Sequence, residues 1–381
     1  MKIAYLARKP IPSVNANSVQ IVKMCEGFTR IGHEVTLFGH HGDAPAGTVF
    51  DRYGVKPSFD IDTYPHGSQL LRRWRFALRL RRDPHAKDAD AFYGRDVLAL
   101  AAVAWTGKPL IYEAHVLPHA SLLRRIVLPW LFSRPNFSHL VCVTSTLAQV
   151  YRASFPALAG KPVVVAPNAA ADLDLRSGAC ALAANPGRVQ VGFVGRPFPG
   201  KGVEAIIEAA RRLPHIDFHI IGADARDITW VFGEYPRNLI FHGYRQHAQL
   251  GQYLAHFDIA VAPYGARVFN ATGVESASIT SPLKLLEYMA MGLPVIVSDL
   301  PGVRDILDGD DVGLIVPPGD VDSFVAALRT LAGNPELRAR MGAAARKRYE
   351  ERHTVLARAK FVLAPLLEDA FRGNDAGRRP S

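Results

Sequence analysis

Short apolar runs separated by helix-length stretches recur along the whole chain, and this alternation restricts it to a parallel α/β architecture. In the first half the runs fall at 2–6, 35–38, 91–95, 109–115, 140–145 and 163–168. In the second half they fall at 189–194, 218–222, 240–244, 258–264 and 295–297. The intervening stretches are long enough for crossover helices, which parallel strands need and hairpins do not. The opening unit illustrates the pattern. A strand at 2–6 leads through the loop KPIPSVNANS into a helix at 19–31, with Gly32 as its stop, and then into the strand VTLF. At 381 residues the chain is long enough for two such domains, each with its own core. The Ala-, Gly- and Asp-rich stretch 171–187 reads as the linker between them.

The most informative stretch is 281–299, SPLKLLEYMAMGLPVIVSD. Ser281 reads as a hydroxyl cap and Pro282 as the first helical residue, where a missing N–H costs nothing. Leu283, Leu286 and Ala290 repeat at helical spacing, Gly292 ends the helix, and Pro294 stops it resuming. A helix start with its positive dipole end exposed is a natural seat for a diphosphate. Lys284 and Glu287 share one side of that helix, so a carboxylate able to hold two hydroxyls lies beside the seat. Any capped helix before an apolar strand would show the same periodicity, so this stretch needs a companion.

The companion is GRPFPGKG at 195–202, placed after the strand 189–194 and before a helix at 203–213. It imitates a P-loop, but Gly202 stands where a Ser or Thr would hold Mg²⁺. In the first half, the strand 109–115 ends in Glu-Ala-His, and His115 lies where open α/β sheets collect functional residues. A histidine there also reads as an ordinary loop or capping residue.

These motifs resemble retaining glycosyltransferases of family 4, which have the GT-B fold. That resemblance implies two doubly wound Rossmann-like domains facing a cleft, with the last helix, about 357–373, crossing back to the first domain. Residues 1–170 would hold the acceptor and 188–356 the nucleotide sugar. It further implies that Arg196 and Lys201 grip the donor diphosphate, aided by Gly195, Ser281, Pro282, Leu283 and Lys284. Glu287 would hold the ribose, and His115 would support the transferred sugar and its leaving phosphate. Asn17 and Ser18 take the place of the glycine pair that the family has in the first loop. Ile279 replaces a glutamate common eight residues before Glu287, and Glu275 is offset by four. The family reading expects no metal and no cofactor. Its partners are a nucleotide-diphosphate sugar and a glycan or lipid-linked acceptor.

Charge sharpens the partner expectations. Residues 1–170 carry 21 Lys and Arg against 11 Asp and Glu, whereas the rest of the chain carries 24 of each. All of the net +10 therefore sits in the first half, which favours an anionic partner. QLLRRWRFALRLRR at 69–82 and LLRRIVLPWLF at 122–132 are basic and apolar together. They read either as helices lying on an anionic membrane surface or as solvated faces over core residues. The interleaved motifs of DNA or RNA modules are lacking, so nucleic acid is not an expected partner. Cys25, Cys142 and Cys180 are isolated, which suggests neither a disulfide framework nor a metal site and fits a cytoplasmic protein, peripheral on the membrane's inner face. Five Asp-x-Asp pairs, at 60, 88, 172, 308 and 320, are too scattered to mark a metal site. His115 and His119 are separated by Pro118, which breaks the helix that would aim both at zinc. Two rival readings remain: a sugar-nucleotide epimerase, which would consume donor without acceptor, and a noncatalytic binding module, which would bind without turnover.

Overall fold

In a computed structural model the chain divides into two units, Met1–Asn168 with Val355–Ser381, and Ala169–Thr354. Residues 14–15, 65–68, 171–181, 183, 184, 186, 229–233, 270–276, 308, 310 and 377–381 lie outside the description, as do the side chains of 8, 9, 16, 69–73, 248 and 369–376. Almost all of the expected linker, Glu275, Cys180 and the acidic pairs at 172 and 308 fall outside it too.

Among the described residues the first unit holds seven parallel strands: β1 (Lys2–Ile11), β2 (Glu34–His41), β3 (Asp60–Tyr64), β4 (Ala91–Gly94), β5 (Leu110–Ala114), β6 (Phe137–Cys142) and β7 (Val163–Val165). Their order is β3-β2-β1-β4-β5-β6-β7, so the winding reverses between β1 and β4. The crevice beyond the strand ends at such a reversal is where α/β sheets bind ligands. The edge strand β3, DIDTY, is additional to the strands read from sequence. It has aspartates where an inner strand has apolar residues, and an edge strand tolerates that.

The first helix, Ala16–Arg30, begins earlier than its periodicity suggests, so Asn17 and Ser18 lie in a helical turn and not in the expected loop. Its Phe28 packs against Tyr5 and Tyr93, the latter with ring centroids 5.1 Å apart. The closing helix Val355–Ala376 belongs to this unit and buries Ala359, Val362 and Leu363 in the same core. Ring atom Nε2 of the buried His139 on β6 lies 2.7 Å from the Val362 carbonyl, which accepts its proton.

The helices Gln69–Leu80 and Leu122–Phe132 each turn one face inward, with Phe76 and Leu80 buried on the first and Leu128 and Leu131 on the second. Helix Val97–Val103 packs against both. Their outer faces keep Trp74, Leu78, Leu122, Ile126 and Trp130 exposed, the last three at four-residue spacing. Among the described residues no helix is long and apolar enough to cross a membrane.

The second unit repeats the architecture with β8 (Gln190–Val194), β9 (Asp217–Ile221), β10 (Leu239–Phe241), β11 (Ile259–Ala262), β12 (Val295–Ser298) and β13 (Gly313–Val316), in the order β10-β9-β8-β11-β12-β13. Its reversal lies between β8 and β11. Strand residues alternate between two cores. Val191, Phe193, Ile259, Val261 and Ile296 enter one, while Ala260, Ala262, Val295 and Val297 enter the other. The period of two places a core on each face of the sheet.

Candidate functional site

Each unit gathers charged side chains at its own reversal point. In the second unit, β8 delivers Gly195, Arg196 and Lys201, and β11 delivers Tyr264. Gly195 has a φ of +141°, and its N–H donates to the Ile221 carbonyl at 2.8 Å. The turn brings its α-carbon close to Lys284, whose Nζ stands 3.7 Å from the centroid of the Phe193 ring and 5.6 Å from that of Tyr264. Lys201 Nζ stands 5.5 Å from the same Tyr264 ring. The two ammonium groups therefore share an aromatic wall. Burial lowers the pKa of Lys201. Burial lowers that of Lys284 much further, helped by the charge of Lys201 and opposed by Glu287. Arg196 is exposed.

Gly202 explains why the P-loop resemblance ends where it does. Its φ is +95°, and a Cβ there would stand 2.3 Å from the Pro263 carbonyl oxygen. No Ser or Thr fits, so this turn is built for close approach to β11 and not for a Mg²⁺-bound hydroxyl. Substituting Gly202→Ser should destabilise the protein by roughly 2 kcal/mol or more, from positive-φ strain and the steric overlap. Urea denaturation followed by circular dichroism would show this, and an unchanged midpoint would contradict it.

The helix Leu283–Ala290 starts one residue later than the sequence suggests. Pro282 occupies the capping position, with φ −76° and ψ 111°, and its own side chain supplies no capping bond. Ser281, expected at the cap, thus lies one residue before it. Proline's ring favours the extended angles of a cap residue as readily as those of a first helical turn, and it shifts the boundary. The N–H groups of this first turn carry the positive end of the helix dipole, which suits an incoming anion. Glu287 is buried on this helix, its Oε1 2.7 Å from His247 Nε2. His247, forty residues away in sequence, carried no motif to mark it.

In the first unit, β4 leads into Arg95 and β5 carries Glu113 and leads into His115. The Glu113 carboxylate accepts hydrogen bonds from Arg95 Nε at 3.0 Å, Arg95 Nη2 at 3.2 Å, Arg358 Nη2 at 2.6 Å and Tyr5 Oη at 3.3 Å. His115 Nε2 lies 3.0 Å from Glu113 Oε1. Burial would raise the Glu113 pKa, but Arg358 and Arg95 outweigh it and hold the carboxyl well below its usual range. His115 is lowered to about 4 by burial and by Arg95, so it is neutral near pH 7. A pocket opens here, lined by Asn17, Ile21, Arg95, Glu113, His115, Val116 and Arg124. Asn17 is exposed on its rim, whereas the Ser18 hydroxyl is buried against Ser13 Oγ at 2.7 Å and the Pro10 carbonyl at 3.2 Å. Elsewhere in this unit Asp62, Asp83 and His85 approach one another, but Asp83 is engaged in capping the helix Pro84–Asp88 and Asp62 in an ion pair with His85.

Two family models match the chain: "Glycosyltransferase Family 4" over residues 18–172 and "Glycosyl transferases group 1" over 188–334. The chain belongs to glycosyltransferase family 4. Within that family it is similar to the sulfoquinovosyl transferase SQD2 of Arabidopsis thaliana, with 32% identity over 44% of this chain and 31% of that one. It is also similar to a phosphatidyl-myo-inositol mannosyltransferase of Mycolicibacterium smegmatis, with 31% identity over 39% of this chain and 37% of that one. The matches thus span about a third of these curated relatives. The fold extends further. HepE of Anabaena, solved in complex with UDP, superposes with a TM-score of 0.68 over 97% of this chain and 100% of that one, at 17% identity. The two parallel-sheet units match the GT-B glycosyltransferase fold.

Proposed function

We propose that this family 4 protein is a retaining glycosyltransferase that moves a sugar from a nucleotide-diphosphate donor to a glycan or lipid-linked acceptor. The observation that supports it most is the pair of desolvated lysines, Lys201 and Lys284, against one aromatic wall beside the start of helix Leu283–Ala290. Two ammonium groups against one aromatic wall call for a polyanion. A diphosphate supplies it, and HepE was solved with UDP.

In this reading the second unit takes the donor, with Gly195, Arg196, Lys201, Ser281, Pro282, Leu283 and Lys284 around the diphosphate. Glu287, oriented by His247, accepts from the ribose hydroxyls. The bond between the anomeric carbon and the diphosphate oxygen breaks as the acceptor oxygen adds on the same face, and the acceptor proton passes to the departing phosphate. Lys201 and Arg196 stabilise the charge that builds on that phosphate, the largest electrostatic demand of the step. No metal takes part, because protein cations fill its role. The first unit takes the acceptor, with Asn17 at the pocket rim and Ser18 bracing its helix, while neutral His115, its Nε2–H given to Glu113, accepts from a sugar hydroxyl through Nδ1 without acting as nucleophile.

The test is calorimetric titration of the full chain with UDP, GDP, ADP and TDP, followed by activity measurements with the sugars of whichever binds. One of the four should bind in the micromolar range, and Glu287→Ala should cost roughly tenfold or more in kcat/KM. If none binds, the noncatalytic module is the better reading. Donor consumption without any acceptor would identify an epimerase instead.

The exposed Trp74, Leu78, Leu122, Ile126 and Trp130 support peripheral attachment to the inner face of an anionic membrane, where the acceptor lipid would reside. Basic residues flank them, and Arg134 lies over the Trp130 ring at 5.3 Å. Vesicles containing anionic phospholipid should sediment with the protein, and the Ile126→Glu/Trp130→Glu variant should lose roughly tenfold in partitioning, since each side chain loses apolar burial. Equal partitioning would count against attachment through this face.

A further inference from the structure

The pocket of the first unit contains more positive charge than the protein neutralises. Arg95, Arg358 and Arg124 are buried against two buried carboxylates: Glu113 pairs with Arg95 and Arg358, while Asp96, which caps the helix Val97–Val103, acts on Arg124 through its charge. Arg95 and Arg124 both line the pocket. Arg124 donates to the Tyr112 hydroxyl, a neutral partner. Arg95 uses Nε and Nη2 on Glu113, but its buried Nη1 has no hydrogen-bond partner, and neither does Nη1 of Arg358. His115 lines the same space as a neutral imidazole that gives its Nε2–H to Glu113 and keeps Nδ1 as an acceptor. A buried guanidinium nitrogen without an acceptor is costly, and the natural complement of a guanidinium fork is a planar or tetrahedral oxyanion.

We infer that this pocket is an oxyanion subsite: Arg95 and Arg124 receive a phosphate or carboxylate carried by the acceptor. The inference rests on the glycosyltransferase reading and gives its acceptor a chemical class, a phosphorylated or acidic molecule in place of a neutral glycan. Other features of the site agree. Ile21 and Val116 form an apolar wall that lowers the local dielectric and strengthens ion pairing. Glu113 fixes the Arg95 plane, so the unpartnered corner is held in place before the anion arrives. The same oxyanion could instead belong to the donor, as its diphosphate or as an acidic sugar, and the experiment separates these sources.

Titration of the full chain with inorganic phosphate and with acetate, each in the absence and presence of saturating UDP (or whichever nucleoside diphosphate binds), tests it. Millimolar or tighter binding of one anion, undiminished by the nucleotide and weakened tenfold or more in both Arg95→Gln and Arg124→Gln, is the expected result. Arg124→Gln leaves the Glu113 ion pairs intact, so it carries the test if Arg95→Gln fails to fold. No anion binding, or equal binding by the Arg124 variant, would overturn the subsite. Displacement by the nucleotide would overturn it in favour of the donor diphosphate. To set an acidic donor sugar against an acidic acceptor, binding of glucuronate would be compared with that of UDP-glucuronate. Loss of free-anion binding only when the nucleotide-linked acid is present would likewise overturn the acceptor assignment. Because nucleotide binding is scored separately, failure of the donor site and failure of the anion subsite give different results.

Discussion

Removing the Lys201 side chain as Lys201→Ala should weaken nucleoside diphosphate binding by about 10- to 100-fold, the span expected for a charge-assisted hydrogen bond to an anion. The apoprotein should be no less stable, and this combination marks a binding group instead of a structural one. Burial lowers the pKa of Lys201, so the folded protein holds its ammonium against a desolvation cost. Its charge also lowers the pKa of Lys284. Alanine removes both unfavourable effects from the free protein while deleting a ligand contact from the complex. Lys284 partly compensates, because its ammonium is easier to keep once its neighbour is gone, so the loss should fall short of two full contacts. The same linkage sets the pH dependence. An arriving diphosphate stabilises the protonated form of Lys284, so binding takes up protons, and affinity should fall as pH rises through the depressed free-state pKa. Calorimetry in two buffers of different ionisation enthalpy would measure the proton uptake. Affinity within threefold of the wild type, or proton release on binding, would refute the role given to these lysines.

Much of this was legible in the sequence because parallel sheets announce themselves. Inner strands such as VGFV and VIVS are apolar runs flanked by helix-length stretches, and the glycines of GRPFPGKG mark positive-φ turns. The reading erred where one residue type serves two geometries. Pro282 satisfies both a cap and a first turn, so the helix start moved by a residue. Asn17 and Ser18 look like loop residues, yet they sit in a helix whose apolar face begins further on. The edge strand DIDTY has no apolar run to detect. Side-chain partnerships across long separations left the least trace: nothing near His247 points to Glu287, and Arg358 reads as one charge on an amphipathic helix. One clue was available for the first-unit cluster. Glu113 interrupts the otherwise apolar strand LIYEA, and a carboxylate inside a parallel sheet requires a buried cation to balance it.

That requirement predicts the larger stability effect. Glu113→Gln keeps the shape of the side chain but leaves Arg95 and Arg358 buried without a counter-charge, and should cost about 3–5 kcal/mol, the usual penalty for breaking a buried ion pair from one side. For a unit of this size that corresponds to a fall in melting temperature on the order of 10 °C. The cost should be concentrated in the first unit, because Arg358 comes from its closing helix and also donates to the Pro167 carbonyl at 2.7 Å. Loss of the carboxylate should therefore loosen Val355–Ala376 against β5, which limited proteolysis near the chain's end would reveal. A double variant, Glu113→Gln with Arg358→Met, should lose less than the sum of the single changes, since the second removes a charge stranded by the first. The sign with pH follows from the depressed Glu113 pKa. Its contribution is fully present above the ordinary glutamate range and is lost as pH falls through the lower, folded-state value. His115 acts in the same direction at higher pH: it stays neutral in the fold down to about 4, whereas the unfolded imidazole protonates near 6.5, so stability declines as pH falls between those values. The wild type should thus lose stability in two stages on acidification, first through His115 and then through Glu113. Glu113→Gln should keep the first stage and lack the Glu113 contribution to the second. A variant as stable as the wild type at pH 7, or with the same acid limb below pH 4, would show that the carboxylate does not hold this unit together.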